Sequence, residues 1–179
     1  MSWEQVYQQW LNEENIPENL KNELKDLNTD PEKCEDAFYA PLEFGTAGMR
    51  GILGAGINRM NIFTVRQATE GLARFMDTQD PETKRRGVAI AYDSRHMSPE
   101  FAMEAAKTLA KHDIPSFVFE SLRPTPELSF AVRYFKAFAG IMITASHNPA
   151  AYNGYKVYGE DGGQMPPADA DALTCLLYT

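Results

Sequence analysis

Residues 140–149 read GIMITASHNP, a short apolar run followed by a polar hexapeptide. The run Gly140–Ile143 has the length and composition of a strand that is buried on both faces, as the strands of parallel sheets are. Ligands of such sheets bind beyond the carboxyl ends of the strands. The hexapeptide Thr144–Pro149 is therefore predicted to lie at the ligand-binding edge of a sheet.

On either side of this segment, apolar runs alternate with helical patterns. Thr64 is predicted to cap a helix with Gln67 reaching back, and the pairs Ser98-Pro99 and Thr125-Pro126 are typical helix starts. Strands separated by such helices indicate crossover connections and parallel pairing. We therefore predict an α/β fold in three layers, α/β/α, around a mostly parallel mixed sheet. The predicted strands are 87–92, 116–119, 140–143 and, near an edge, 155–158.

The two ends of the chain differ from this central pattern. Apolar residues recur at three- and four-residue steps in residues 3–11 and again in 20–27, as in amphipathic helices. We predict a helical arm at residues 1–40, with a main domain at 41–179 that its apolar side covers; binding of another chain is the alternative. A helix predicted after Pro167 runs into the uncapped apolar end 176–178, so we expect this domain to be truncated at its C-terminus.

Charge and composition exclude several classes of protein. The net charge is −8 with a pI near 4.9, and the acidic excess lies in residues 1–43, which hold 3 Lys/Arg and 11 Asp/Glu. This balance argues against nucleic-acid binding. No apolar stretch approaches the ~20 residues of a membrane span, and no secretory leader is recognisable. Because Cys34 and Cys175 lie far apart, we expect a reduced, cytoplasmic protein without membrane partners.

The hexapeptide carries groups that suit phosphate chemistry. The hydroxyl of Ser146 can attack or carry a phosphoryl group, while the loop amides, His147 and Asn148 can hold anionic oxygens. A Ser-His hydrolase is one alternative, although the chain has no G-x-S-x-G motif. A plain polar turn is the other alternative that this segment alone leaves open.

Cations and glycines complete the candidate site. Arg50 lies in a glycine-rich window at residues 45–56, Lys156 in a second one at 154–163, and Arg95 just past a predicted strand. Arginine forks and lysine charges on tight backbone suit phosphate recognition. We expect Arg95 to contact phosphate and Asp93 to brace it. The spacing of the three histidines predicts no histidine-built zinc site.

Three motifs, in this order, resemble the first domain of the α-D-phosphohexomutase family: FGTAGMRG at 44–51, TASHNP at 144–149 and YNGYK at 152–156. They are most similar to the bacterial phosphoglucomutase/phosphopentomutase-like branch. The resemblance implies an enzyme that moves a phosphoryl group between the C1 and C6 oxygens of a hexose phosphate. Its intermediate and activator is glucose 1,6-bisphosphate.

The family also implies roles for individual residues. Ser146 corresponds to the phosphoserine, whose phosphate supplies one oxygen to Mg²⁺. Arg50 and Lys156 match positions that handle phosphate and proton movement, with Lys156 our candidate for proton transfer. His147 matches a position that we assign to phosphate or substrate contact, and Asn148 is expected to bind phosphate.

The family's other Mg²⁺ ligands come from an Asp-Gly-Asp-x-Asp-Arg loop in a second domain, and its sugar contacts come from later domains. None of these is present in this sequence. We therefore expect a phosphoserine domain that interconverts glucose 1-phosphate and glucose 6-phosphate only together with the remaining domains, and is inactive alone. A non-catalytic phosphate- or phosphosugar-binding module is the alternative.

Overall fold

The computed structural model describes residues 1–45, 48–166, 169–170 and 172–173. Its strands form one six-stranded sheet in the order β1-β2-β6-β5-β3-β4. The strands are β1 (Phe44–Gly45), β2 (Gly48–Ile52), β3 (Val88–Tyr92), β4 (Ser116–Val118), β5 (Ala139–Ile143) and β6 (Tyr152–Tyr158). The helices are α1 (Trp3–Asn12), α2 (Glu18–Leu27), α3 (Pro31–Phe38), α4 (Ile62–Asp77), α5 (Pro81–Arg86), α6 (Ser98–Ala110) and α7 (Thr125–Phe135).

The sheet is mixed, and the α/β class is confirmed, but less of the pairing is parallel than expected. β3 pairs in parallel with β4 and β5, whereas β1–β2, β2–β6 and β5–β6 are antiparallel. The connection 144–151 between β5 and β6 is too short for the crossover that parallel strands need. As a result β6 lies between β2 and β5, and its expected place near an edge was wrong.

Helices cover both faces of the sheet, which gives the three layers that were predicted. Adjacent residues of β5 show this, because Ile141 and Met142 are both buried but belong to different apolar clusters. Ile141 packs with Leu72 of α4 and Phe101 of α6. Met142 packs on the opposite face with side chains of α7 such as Leu128. None of the described helices is long and apolar enough to cross a bilayer.

The first three helices build a separate apolar cluster around Tyr7, Leu24 and Phe38. The hydroxyl of Tyr7 donates to the Leu24 carbonyl at 2.8 Å, which satisfies a polar group that would otherwise be buried unpaired. The Glu23 carboxylate accepts the backbone N–H of Ala55 at 2.8 Å and so ties this cluster to the glycine-rich segment after β2.

Helix α4 begins one turn earlier than the pattern predicted. Asn61, not Thr64, is the N-cap, and its side-chain oxygen accepts the N–H groups of Phe63 and Thr64 at 3.0 and 3.1 Å. The Thr64 hydroxyl oxygen accepts the Asn61 N–H in return. The Asn61 amide also donates to the carbonyls of Gly54 and Gly56, both at 2.9 Å, which explains why asparagine outcompetes threonine as the cap here.

His112, just after α6, joins that helix to α4. Its Nδ1 lies 2.9 Å from Asp77 Oδ2 and its Nε2 3.0 Å from Glu70 Oε2, so only the doubly protonated ring can donate to both carboxylates. Lys84 and Arg74 face the same two carboxylates. Partial burial alone would lower the pKa of His112, but hydrogen bonds to Glu70 and Asp77 outweigh it and raise the pKa above 6.5.

The stability of the protein should therefore depend on pH through His112. A raised folded-state pKa stabilises the protein below the unfolded value and loses that contribution as pH rises through the folded value. We expect His112→Gln to reduce the free energy of unfolding more at about pH 6 than at about pH 9. Urea denaturation at both pH values measures this.

The same substitution at exposed His96 is the matched control, and it should leave the pH dependence of the wild type in place. A His112→Gln variant that is destabilised equally at both pH values would show that the imidazolium bridge contributes nothing.

Candidate functional site

The predicted catalytic serine lies where the sequence placed it, in the loop after β5 at the carboxyl edge of that strand. Ser146 is exposed and has a φ of 55°, in the left-handed region that non-glycine residues seldom adopt. Such a conformation costs about 1–3 kcal/mol and persists only where surrounding contacts hold it. The contacts that hold this residue therefore define the site.

One set of contacts holds the amide side of Ser146. Its backbone N–H donates to the Thr144 hydroxyl oxygen at 3.0 Å, and that hydroxyl donates to Asp93 Oδ2 at 2.5 Å. Asp93 follows β3, the parallel neighbour of β5. The carboxyl ends of two adjacent strands thus meet at the serine.

Arg95 holds the carbonyl side of the loop. Its Nη2 donates to the carbonyls of Ser146 and Asn148 at 2.8 and 2.7 Å, and its Nη1 to those of Pro149 and Tyr152 at 2.9 and 3.0 Å. Its Nε lies 3.7 Å from Asp93, so the expected bracing by Asp93 is present. The sequence predicted a direct phosphate contact for Arg95, whereas its four terminal N–H groups donate to carbonyls of the loop and of Tyr152, the first residue of β6. The geometry therefore favours a bracing role.

Two buried polar residues behind the loop were missed by sequence reasoning. Asp93 Oδ1 accepts the Ser98 hydroxyl at 3.0 Å, and the Ser98 oxygen accepts the amide of fully buried Asn153 at 2.9 Å. Asn153 also donates to the carbonyl of His96. Asn153 lies just before the predicted strand 155–158, in the motif YNGYK, and an amide that is buried there requires partners.

His147 lies beside the serine but does not form a hydrolase-like triad with it. Its Nδ1 is 3.3 Å from Ser146 Oγ, longer than a typical hydroxyl hydrogen bond, and the ring is exposed. Within residues 1–45 and 48–166, no carboxylate contacts its other nitrogen to orient it as a base. The imidazole therefore lies beside the Ser146 hydroxyl without the partners of a catalytic base.

Arg50 and Lys156 share one face of the sheet near the loop. Arg50 pairs with Gly154 of β6, and Lys156, two residues further along β6, pairs with Met142 of β5. Because side chains alternate, both cations project from the face that also carries Thr144. Diagonal neighbours of this kind are about 7–8 Å apart, within reach of long side chains. In the described part of the chain neither side chain has an ion pair, so both charges are available to a ligand.

A cleft of about 360 Å³ opens beside the serine. Ser146 and Asn148 line it, as do Asp93, Arg95 and His96. Arg50 and Lys156 do not line it, so the structure divides the predicted site residues into a cleft group and a sheet-face group. The side-chain oxygen of Asn148 is buried and has no hydrogen-bond partner among the described residues.

The residues around the serine do not fit a magnesium ion by themselves. Magnesium requires an octahedral oxygen shell that usually includes carboxylates. Across the described ranges, no group of three or more His, Cys, Asp or Glu side chains is placed to hold a metal ion. Asp93 lines the cleft, but its two oxygens already accept hydrogen bonds from Thr144 and Ser98. This segment could therefore supply a phosphate oxygen on Ser146, but not a complete ligand set.

Comparison with known proteins gives concordant matches. Residues 41–177 match the family model of phosphoglucomutase/phosphomannomutase, alpha/beta/alpha domain I. A phosphoglucomutase of Staphylococcus epidermidis is 49% identical over 145 residues, which are 81% of this chain and 26% of that protein. One of Staphylococcus aureus is 46% identical over 164 residues, 92% of this chain and 28% of that protein.

A solved structure described as a phosphomannomutase of Thermus thermophilus superposes with a TM-score of 0.68 at 34% identity. It matches 77% of this chain and 30% of its own. The chain thus spans between a quarter and a third of the length of these three proteins.

The bracing by Arg95 can be tested by a change that keeps its charge. Arg95→Lys retains one cation but loses the planar fork, so most of the four carbonyls lose their donor. We expect the free energy of unfolding to fall by about 1.5–3 kcal/mol, the usual size for hydrogen bonds to a charged donor. Urea denaturation measures this change. Arg85→Lys, at an exposed pair with Glu82, is the control and should resemble the wild type. Equal stabilities of the wild type and Arg95→Lys would contradict the bracing role.

Proposed function

Because this chain belongs to the phosphoglucomutase/phosphomannomutase family through its α/β/α domain I, we propose that it is the phosphoserine domain of a phosphoglucomutase. In this proposal Ser146 Oγ accepts and returns the phosphoryl group. The observation that carries it is the exposed Ser146 hydroxyl, held in a strained backbone conformation at the carboxyl edge of β5.

The proposed reaction conserves the phosphoryl group. The phosphorus–oxygen bond to Ser146 breaks as a new bond forms to the free C6 hydroxyl of glucose 1-phosphate, and that hydroxyl loses its proton. The resulting glucose 1,6-bisphosphate reorients and returns its C1 phosphoryl group to Ser146, which releases glucose 6-phosphate. Each transfer requires an in-line donor and acceptor and compensation of charge on the transferred oxygens.

The residues on the sheet face supply much of that compensation in our proposal. Arg50 and Lys156 have no ion pair within the described residues and share one face with the base of the serine loop. Arginine suits the phosphate oxygens, while Lys156 takes and returns the proton of the sugar hydroxyl. His147, 3.3 Å from Ser146 Oγ, and Asn148 contact the phosphate or the substrate. Arg95 acts on the loop backbone rather than on the ligand.

The remaining parts of the proposed activity lie outside this chain. Phosphorylated Ser146 would give Mg²⁺ one oxygen, and the other ligands and the contacts to the sugar come from the remaining domains of a full-length enzyme. When bound, Mg²⁺ would offset negative charge on the phosphoryl oxygens. A cytoplasmic location remains our prediction from the sequence.

Phosphoryl uptake tests the role of Ser146 in a full-length protein that joins this chain to the remaining domains of the S. aureus relative, which supply the other magnesium and sugar ligands. After incubation of this graft with glucose 1,6-bisphosphate and Mg²⁺, we expect one phosphoryl group on the peptide that contains Ser146, located by tandem mass spectrometry. Ser146→Ala should take up none and keep its unfolding curve, since an exposed hydroxyl contributes little to stability. Ser121→Ala, at another exposed serine, should retain uptake.

Turnover is tested by grafting this chain in place of the matching 164 residues of the S. aureus relative. The graft should convert glucose 1-phosphate to glucose 6-phosphate, and Ser146→Ala should abolish the conversion. Activity of that variant within about tenfold of the parent graft would overturn the assignment. Phosphosugar binding without turnover would favour the non-catalytic module.

The role of Lys156 is tested in the same graft. Lys156→Met should leave Ser146 phosphorylated in the purified graft but lower its turnover by about 10²–10⁴-fold, the usual contribution of a proton-transfer group. Mass spectrometry and steady-state kinetics separate these two effects. Lys111→Met, at an exposed lysine after α6, is the control and should keep full turnover. Unchanged turnover in Lys156→Met would remove the proton-transfer role.

A further inference from the structure

The backbone of Ser146 is fixed on both sides by one short segment, the loop that follows β3. Its N–H reaches Asp93 through the Thr144 hydroxyl, and its carbonyl is held directly by Arg95 at 2.8 Å. When both peptide groups next to a residue are held, its φ and ψ are held as well. The left-handed conformation of Ser146 is thus maintained by contacts and not by its own preference.

The Asp93 carboxylate determines which way the Thr144 hydroxyl donates its proton. A carboxylate accepts hydrogen bonds and cannot donate them, so Thr144 must donate its single proton to Asp93. The lone pairs of the hydroxyl are then free to accept the Ser146 N–H. Because the Asp93 acceptor is charged, it also strengthens the next hydrogen bond in the series, from the Ser146 N–H to the Thr144 hydroxyl oxygen.

Asp93 is itself held from behind. Its Oδ1 accepts the Ser98 hydroxyl and the Arg95 N–H, both at 3.0 Å, and Ser98 is fixed by the buried amide of Asn153. The carboxylate is therefore anchored to β3, to the start of α6 and to β6. Such anchoring gives it the rigidity that a positioning group needs.

We propose that Asp93 is a positioning residue that acts through the Thr144 hydroxyl to hold Ser146 in the conformation that presents its Oγ for phosphoryl transfer. The inference rests on the proposed function of Ser146 and assigns a role that neither the motif nor the family match gives to Asp93. In this proposal Asp93 contacts neither the phosphoryl group nor the sugar. Its effect should therefore appear in the rate of transfer and not in the affinity for the substrate.

Amide exchange of the chain tests the geometry independently of any activity. Thr144→Val removes the hydroxyl without changing the shape of the side chain, and Asp93→Asn replaces the acceptor with an amide. Each should accelerate exchange of the Ser146 N–H, measured by NMR, by about tenfold or more, because a protecting bond is lost. Thr144→Ser retains the hydroxyl and should exchange like the wild type. Unchanged exchange in both variants would overturn the proposal.

Kinetics of the graft described above test the consequence for transfer. We expect Thr144→Val to lower kcat by about 10–100-fold, as a displacement of about 1 Å at a reacting atom can, with KM nearly constant. Thr144→Ser should restore the rate. Thr108→Val, which removes a buried hydroxyl bonded to the Glu104 carbonyl inside α6, is the matched control and should keep full turnover.

A double-variant cycle separates positioning from general destabilisation. If Asp93 and Thr144 act as one unit, Asp93→Asn combined with Thr144→Val should lose no more rate than the worse single variant. Losses that multiply, or a change confined to KM, would overturn the proposal. An inactive parent graft would instead contradict the proposed function, while the exchange data would still decide whether Asp93 holds the Ser146 backbone.

Discussion

The parallel pairing of β3 with β5 is the constraint on which the candidate site depends. It brings the two carboxyl ends together, so that residues 93–95 lie beside residues 144–149. A hydrogen bond from the Asp93 N–H to the Ile143 carbonyl at 3.1 Å continues the pairing past the strands and sets the register of the two loops. Every contact that holds Ser146 in its strained conformation follows from that register.

Part of this arrangement could be predicted from the sequence, because the signals were local. A buried strand followed at once by a polar hexapeptide placed Ser146 at the sheet edge, and the same logic placed Arg95 after β3. The central position of β6 could not be predicted, since antiparallel pairing depends on the short connection and on β2. The contacts of Asn153 depend on this placement of β6, so its role was missed. The N–H groups of Arg95 were likewise assigned to a ligand, although they donate to four backbone carbonyls.

The charged residues of the candidate site fall into two groups. Arg95 and Asp93 lie close to each other and bind the backbone of the serine loop, so both side chains mainly stabilise the loop. Arg50 and Lys156 have no ion pair in the described ranges and share one face of the sheet with Thr144, at the base of the serine loop. Arg95 keeps its charge but its terminal nitrogens already donate to four carbonyls, whereas Arg50 and Lys156 can donate their N–H groups to a ligand. The two pairs should therefore differ sharply in how substitutions affect ligand binding.

The doubly held backbone of Ser146 also limits how the residue can respond to modification. With φ and ψ fixed, only rotation about χ1 and the ester bond remains for moving a newly attached dianion. Such a group can reach only a small range of positions, so the side chains that bind it must already lie within that range. A serine with a fixed backbone is suited to repeated transfer of one group rather than to binding ligands of varied shape.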